Sequence, residues 1–134
     1  MKSCMLVRYY VMDSPAARSK RHMEAAGYRV ATVERWNHVT RTRHDAFGFL
    51  DLIAIRPSQI VGVQTTTGGH VPNRIGKITG ERAEEARDWL AAGGLIEVHG
   101  WRQLKVQRGG KAKRWHPIVV SLDWDGKQFV EVRA

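Results

Sequence analysis

Residues 49–66 read FLDLIAIRPSQIVGVQTT, and this stretch decides the fold. Two apolar, β-branched runs flank the turn signal RPSQ, a pattern typical of two antiparallel strands joined as a hairpin. The first run is the most apolar in the chain, yet it carries Asp51 in its middle. Because a buried carboxylate without a partner is very costly, we expect either a metal cation or a basic side chain such as Arg41 or Arg43 beside Asp51.

The register of this hairpin determines what Asp51 faces. A hairpin that closes symmetrically about Pro57 and Ser58 places Asp51 opposite Gln64. Directly opposed side chains have Cβ atoms about 4.5–5.5 Å apart. An Asp oxygen and a Gln amide oxygen at that spacing can share one hard cation such as Mg²⁺ or Mn²⁺. A slip of one residue would instead turn Gln64 to the other face of the sheet.

The remaining sequence predicts one α/β domain over residues 1–134, with a small mixed sheet flanked by helices and an antiparallel C-terminal extension. Ser14 and Gly27 suit the two ends of an Ala-rich helix. The segment 36–46 has no clear period and is predicted to be a loop. The other elements follow from periodicity and turn residues: helices over 15–26 and 79–92, and strands near 5–11, 28–35, 95–101, 114–124 and 127–132.

The composition favours a polyanionic partner. The chain has 22 Lys and Arg against 13 Asp and Glu, a net charge of +9. A field of this sign attracts nucleic acid or an anionic membrane, although charge that serves only solubility is the simpler alternative. Cys4 is the only cysteine, which rules out an internal disulfide and fits a cytoplasmic protein. No segment approaches the roughly 18 apolar residues of a membrane span, so we expect no membrane partner.

Basic side chains are concentrated in two segments, one from Arg18 to Arg43 and the other between Glu97 and Asp123. No acidic residue stands between Glu97 and Asp123, and QRGGKAKR within this window resembles the flexible tip of a basic hairpin suited to phosphate contacts. Trp101 and Trp115 flank the tip, either as core anchors or as platforms for unpaired bases. The two segments supply the predicted nucleic-acid-binding residues Arg41, Arg43, Arg102, Lys105, Arg108, Lys111, Lys113 and Arg114.

A helix with Glu24, a strand with Asp51 and a neighbouring strand with GVQTT resemble the PD-(D/E)XK nuclease superfamily. Within it they are most similar to small phage-type, Holliday-junction-resolvase-like proteins. The resemblance covers residues 14–101 and implies a restriction-endonuclease-like αβββαβ core with metal-dependent hydrolysis of DNA phosphodiester bonds. The DNA can be linear or branched, and an RNA-directed nuclease also remains open. Symmetric cutting of a junction would require a homodimer.

The resemblance also implies a set of site residues. Asp51 is the motif aspartate, and Gln64, Thr65 and Thr66 take the place of the (D/E)-x-K motif. Mg²⁺ or Mn²⁺ would be bound by Asp51, Gln64 and the Thr65 carbonyl, with Glu24 as a further ligand. From the residues alone, an ordinary helix salt bridge explains Glu24 equally well. Asp45 is another candidate ligand, unless it pairs with a nearby arginine.

Thr66 stands where the family has its catalytic lysine, so the catalytic set lacks a basic group. If GGHVPNRIGK forms a helix, His70, Arg74 and Lys77 fall on one face. They would then supply the missing group, or else contact phosphate or solvent. Gln64 in place of the motif acid and Thr66 in place of the motif lysine also favour a second function. In that case the chain is a catalytically inactive DNA-binding module that keeps the nuclease fold.

Overall fold

The computed structural model of the protein describes residues 13–133, so the strand predicted near 5–11 lies outside the described residues. The elements in chain order are α1 (Pro15–Ala25), β1 (Arg29–Thr32), β2 (Arg35–Asn37), β3 (Thr42–His44), β4 (Leu52–Arg56), β5 (Gln59–Thr67), a 3₁₀ turn (Gly68–His70), α2 (Val71–Thr79), α3 (Ala83–Ala91), β6 (Leu95–Lys105), β7 (Lys113–Trp124) and β8 (Phe129–Arg133).

Six strands form one mixed sheet in the order β1-β4-β5-β6-β7-β8, and β2 pairs with β3 in a separate hairpin. Strands β5 and β6 run parallel, whereas the other neighbouring pairs are antiparallel. The predicted mixed α/β sheet with its antiparallel C-terminal extension is therefore confirmed. No helix within residues 13–133 is long and apolar enough to cross a membrane.

Helices cover both faces of the sheet. On one face Met23 of α1 belongs to a buried cluster with Leu52 and Val61. On the other face Ile75 of α2 and Ala86 of α3 belong to the larger apolar cluster of the core. α1 and α2 therefore pack on opposite faces of the sheet, and residues of both helices lie at the same end of the central hairpin.

The central hairpin has the predicted register. Leu52 pairs with Val63 and Arg56 pairs with Gln59, which is the symmetric closure about the RPSQ turn. Ser58 adopts a positive φ of 66° to make this turn.

Strand β4 begins later than the sequence predicts. Phe47 and Gly48 have positive φ values of 53° and 79°, and the N–H groups of Phe49 and Leu50 donate to the Ala46 carbonyl, so residues 46–50 form a tight turn. Asp51 consequently lies at the start of the strand instead of in its middle. Its backbone N–H still donates to the carbonyl of Val63, the partner of Leu52, at 2.9 Å, which ties Asp51 to β5.

The predicted loop over 36–46 is wrong, because the chain there contains most of the β2–β3 hairpin. The strand predicted over 28–35 is correspondingly divided between β1 and the start of β2. The Asn37 side chain closes the hairpin turn by accepting the N–H groups of Val39 and Thr40 at 2.9 and 3.1 Å. Every residue of this hairpin is exposed, so the apolar alternation that indicates a half-buried strand is missing.

The helix predicted over 79–92 is confirmed by α3, although it begins later, at Ala83. Residues 80–82 separate α3 from α2, and the Arg82 N–H there donates to the Lys77 carbonyl at 2.9 Å. Glu84 and Glu85 do occupy the first turn of α3, where negative charge is favoured. The conditional prediction of a helix over GGHVPNRIGK is confirmed in part, because Gly68–His70 form a 3₁₀ turn and α2 begins at Val71.

Gly100 allows α2 to approach the sheet. A Cβ atom at Gly100 would overlap the Val71 side chain and would lie 3.1 Å from the Gly68 Cα atom. Val71 begins α2 and is buried in the core. The missing side chain at Gly100 therefore sets how closely α2 and its basic residues pack against β6.

We expect Gly100→Ala to destabilise the protein by about 1–3 kcal/mol, because the added methyl group overpacks the contact with Val71. Gly76→Ala is the matched control, since Gly76 lies in α2 with open space around its Cα. It should be neutral or stabilise by roughly 0.5–1 kcal/mol through its higher helix propensity. Urea unfolding measures both free energies, and equal changes in the two variants would contradict the close-approach argument.

Candidate metal centre

Three carboxylates meet at the start of β4. Asp51, Glu34 and Asp45 each offer one oxygen, and these oxygens lie within 4.8 Å of one another. The backbone brings Glu34 there, because the N–H groups of Val33 and Glu34 both donate to the Asp51 carbonyl at 2.9 and 3.3 Å. Asp45 opens the tight turn that precedes Asp51, where its carbonyl accepts a turn N–H. Like charges this close need a counter-charge.

Asp51 contacts Gln64, as the register predicts, but through the amide nitrogen. Gln64 Nε2 donates to Asp51 Oδ2 at 2.7 Å. The same oxygen accepts the Thr65 N–H at 2.8 Å and the Thr65 hydroxyl at 3.0 Å. These three donors fix the orientation of the carboxylate by one oxygen, which leaves Oδ1 as the atom for a further ligand. Gln64 thus orients Asp51 directly, whereas the sequence predicted contact through a shared cation.

The amide oxygen of Gln64 is buried and has no hydrogen-bond partner among the described residues. Leaving such an oxygen unpaired costs about 1–3 kcal/mol. Gln64 also lines the cleft into which the three carboxylates face. The site therefore combines carboxylate oxygens with a spare amide oxygen, and all-oxygen donor sets suit Mg²⁺ and Mn²⁺. The residues fit the metal that the sequence predicts.

Burial raises the pKa of Asp51 to about 8. The Thr65 N–H favours the charged form, but the nearby Asp45 carboxylate, which can share a proton with Asp51, and the charge of Glu34 act with burial in the opposite direction. The metal-free carboxyl consequently keeps its proton to a higher pH than an ordinary aspartate. A divalent cation would replace this proton, because it offsets the same concentration of negative charge.

The carboxylates form one wall of a cleft of about 640 Å³. His70, Arg74 and Lys77 line the same cleft from the 3₁₀ turn and α2. Lys77 Nζ lies 3.8 Å from Asp45 Oδ2, next to the acidic group. The start of α1 also contributes to the lining, with Ser14, Pro15 and Ala16. The cleft thus combines cationic and hydrogen-bonding groups with the acidic group.

Most of the predicted metal-site residues line the cleft, but Glu24 does not. Thr65 and Thr66 are buried at the end of β5 and line the cleft, as does Asp45. Glu24 is exposed on α1 and lies outside both the acidic group and the cleft lining. Glu34 occupies the place that the sequence predicted for Glu24. One signal could have identified it, since Glu34 is the only acidic residue between 25 and 44.

The predicted nucleic-acid-binding residues are all exposed. Arg43 lines the cleft and lies 3.8 Å from the Glu34 carboxylate, whereas Arg41 lies in the β2–β3 turn. The others project from the hairpin of β6 and β7, whose tip lies over 106–112 as predicted. They are Arg102, Lys105, Arg108, Lys111, Lys113 and Arg114.

The two tryptophans that flank this tip differ. Trp101 is buried, and its indole N–H donates to the Ser19 hydroxyl at 2.8 Å, which makes it a core anchor. Trp115 is exposed, and the Arg18 guanidinium lies 3.7 Å from the centroid of its ring.

Comparisons with protein-family models, with curated proteins and with solved structures found no match to this chain.

We expect the metal-free protein to lose stability as the pH rises from about 4 to about 8. Asp51 has a folded pKa of about 8 against an ordinary value of 3.8, so in this window the folded state keeps a proton that the unfolded state has released. The free energy of unfolding should then fall by up to about 1.4 kcal/mol per pH unit. Asp51→Asn should flatten this slope, as measured by urea unfolding in EDTA.

Asp125→Asn is the control for this pH dependence. Asp125 is exposed, and the N–H groups of Gln128 and Lys127 lower its pKa, so it titrates below the window. An unchanged slope in Asp51→Asn between pH 5 and 8, or the same flattening in Asp125→Asn, would contradict the assignment of the proton to Asp51.

Proposed function

We propose that the protein is a metal-dependent endonuclease of the PD-(D/E)XK type that hydrolyses DNA phosphodiester bonds. One observation carries the proposal: Asp51, Asp45 and Glu34 converge in a cleft that is also lined by the basic residues Arg43, His70, Arg74 and Lys77. An acidic group binds divalent metal, and basic residues beside it in the same cleft can bind the phosphate that is to be cut.

The order of the elements supports a restriction-endonuclease-like core. With the β2–β3 hairpin taken as an insertion, α1, β1, β4, β5, the α2–α3 pair and β6 follow the order αβββαβ. The motif positions agree with this order, since Asp51 begins the second core strand and Gln64 lies in the third. The small hairpin inserted between β1 and β4 brings Glu34 and Asp45 to Asp51.

The side chains of the acidic group have separate roles in this proposal. Asp51, through Oδ1, and the carboxylates of Asp45 and Glu34 bind Mg²⁺ or Mn²⁺. Gln64 and Thr65 hold the other oxygen of Asp51 and so orient the ligand. The bound metal supplies activation of water and neutralisation of the charge on the phosphate. The hydrogen bonds from Gln64 and Thr65 restrict the carboxylate to one orientation before the substrate binds.

Lys77 is the best candidate for the basic group that Thr66 lacks. Its ammonium lies 3.8 Å from Asp45, which is the closest approach of a cation to the acidic group along α2. From there it can stabilise negative charge that develops on the phosphate. His70 and Arg74 line the cleft from the same side and would bind the flanking phosphates.

A non-catalytic DNA-binding module is the second candidate. It is favoured by the way the protein satisfies Asp51 internally, with three donors on Oδ2 and a pKa of about 8 that keeps the carboxyl neutral. Such a module would use the basic hairpin of β6 and β7 for phosphate contacts and would keep Asp51 as a structural residue. It would bind DNA without cutting it.

Cleavage of labelled four-way-junction and linear duplex DNA in Mn²⁺ tests the proposal. We expect the wild type to cut, Asp51→Asn to lose cleavage, and Glu34→Gln to bind Mn²⁺ at least about 10–100-fold more weakly because a ligand oxygen is lost. Glu24→Gln is the matched control and should retain both properties, since Glu24 is exposed away from the cleft. Calorimetric titration measures the Mn²⁺ affinity.

Other results would select the second candidate. DNA binding by the wild type and by Asp51→Asn, with cutting by neither and no Mn²⁺ binding, would identify the non-catalytic module. Cleavage of the junction together with a dimer in sedimentation would support the predicted homodimer, because symmetric cutting needs two sites.

Lys77→Ala should lower the rate of cleavage by about 100-fold or more, because a charge that stabilises the transition state is lost. Mn²⁺ affinity should stay equal or rise, since Asp45 then loses a competing cation. Lys77→Arg should restore part of the rate, and Lys20→Ala, on the exposed surface of α1, should have no effect. Single-turnover cleavage gives the rates. Full activity of Lys77→Ala would transfer the role to His70 or Arg74.

A further inference from the structure

The β2–β3 hairpin, residues 35–44, is here called the finger. It leaves the sheet directly after Glu34 and returns directly before Asp45, so both of its ends lie at the acidic group. All ten of its residues are exposed. A ligand that reaches the metal centre therefore meets the finger as well.

The finger has the charge of a surface that binds a polyanion. It contains no acidic residue, and its cationic and titratable side chains are Arg35, Arg41, Arg43, His38 and His44. Arg43 lines the cleft itself. Charge complementarity thus points to the nucleic acid that the proposed function already places in the cleft.

Trp36 on the finger differs from the other four tryptophans. Each of those contacts a partner: Trp89 donates to the Leu95 carbonyl, Trp101 to Ser19, Trp115 lies under Arg18, and Trp124 packs on Phe129. Trp36 has no hydrogen-bond, aromatic or cation partner among residues 13–133, and its exposed fraction of 51% is the highest of the five. An indole ring has a large flat face, and an exposed one beside a cleft is available for stacking on a nucleic-acid base.

The register of the finger sets which face Trp36 occupies. Trp36 pairs with Arg43, and directly paired residues project from the same face of a two-stranded sheet. Trp36 therefore shares its face of the finger with Arg43, whose side chain reaches the cleft lining. The turn is preorganised by the Asn37 side chain and by the hydroxyl contact of Thr40 with Thr42 at 2.6 Å.

We propose that Trp36 stacks on an unpaired base beside the scissile phosphate, so that the site acts on DNA with single-stranded nucleotides at a branch or fork. The inference rests on the proposed function, because it deepens the substrate class of the same site. A base within continuous duplex is already stacked on both faces and offers no surface to an indole ring. A splayed base has a free face, and stacking of this kind tolerates any sequence.

The test compares a forked DNA with a continuous duplex of equal length. The fork carries 2-aminopurine at its branch, and the duplex carries it at the matching position. Binding is followed by anisotropy in Ca²⁺, and stacking by quenching of the 2-aminopurine emission. We expect Trp36→Ala to bind the fork about 10–100-fold more weakly and to lose the quenching, while its affinity for duplex changes less than about twofold. Trp36→Phe should retain most of the fork affinity.

Val132→Ala is the matched control, because Val132 is an exposed apolar residue at the opposite edge of the sheet. It should leave both affinities unchanged. Equal loss on fork and duplex, or no loss on either, would overturn the stacking role. A shift from dimer to monomer in Trp36→Ala would overturn it too, by assigning Trp36 to a contact between copies of the chain.

The same assay separates the inference from the proposed function. If the wild type binds and cuts the fork while Trp36→Ala behaves identically, the stacking role fails and the nuclease stands. If the wild type binds neither DNA, the proposed function fails and the stacking role fails with it.

Discussion

The structure depends on how the protein accommodates the charge of Asp51. A buried carboxylate at the start of a core strand must find donors, a proton or a cation. Here Gln64 and Thr65 donate hydrogen bonds to one oxygen of Asp51. Asp45 and Glu34 approach within 4.8 Å, and their charges oppose ionisation of the Asp51 carboxyl group. The Asp51 carboxyl group can therefore hold either a proton or a metal ion. The antiparallel register of β4 and β5 makes it possible, because it puts Gln64 directly beside Asp51.

The backbone around this carboxylate explains why the remaining groups gather there. The Asp51 carbonyl accepts N–H groups from the segment that ends β1, which brings Glu34 to the site. Gly100 lets α2 pack closely on β6, so that Lys77 lies 3.8 Å from Asp45 at the acidic group. One end of the sheet thereby carries charges of both signs in a single cleft. The finger lies beside the same cleft and carries an exposed aromatic ring, Trp36.

Much of this arrangement could be predicted from local patterns. The alternation and turn residues of 49–66 predicted the hairpin and its register, and the caps at Ser14 and Gly27 predicted α1. The finger was missed because it is exposed on both faces and so has no apolar period. The helix predicted over 79–92 begins only at Ala83, because residues 80–82 form a break within a segment of helical composition. Glu34 was not predicted as a ligand, because its distance from Asp51 depends on how β1 packs.

The sequence by itself determined the charge, the central hairpin and the pairing of Asp51 with Gln64, since these depend on composition, on turn chemistry and on contacts between residues close along the chain. The tertiary structure alone decided which carboxylates join Asp51, which atom of Gln64 faces it, and which cation faces Asp45. Each of these depends on contacts between distant segments, whose geometry is set by the packing of whole elements. Local periodicity carries no information about such packing, and for that reason the acidic group became visible only in the folded chain.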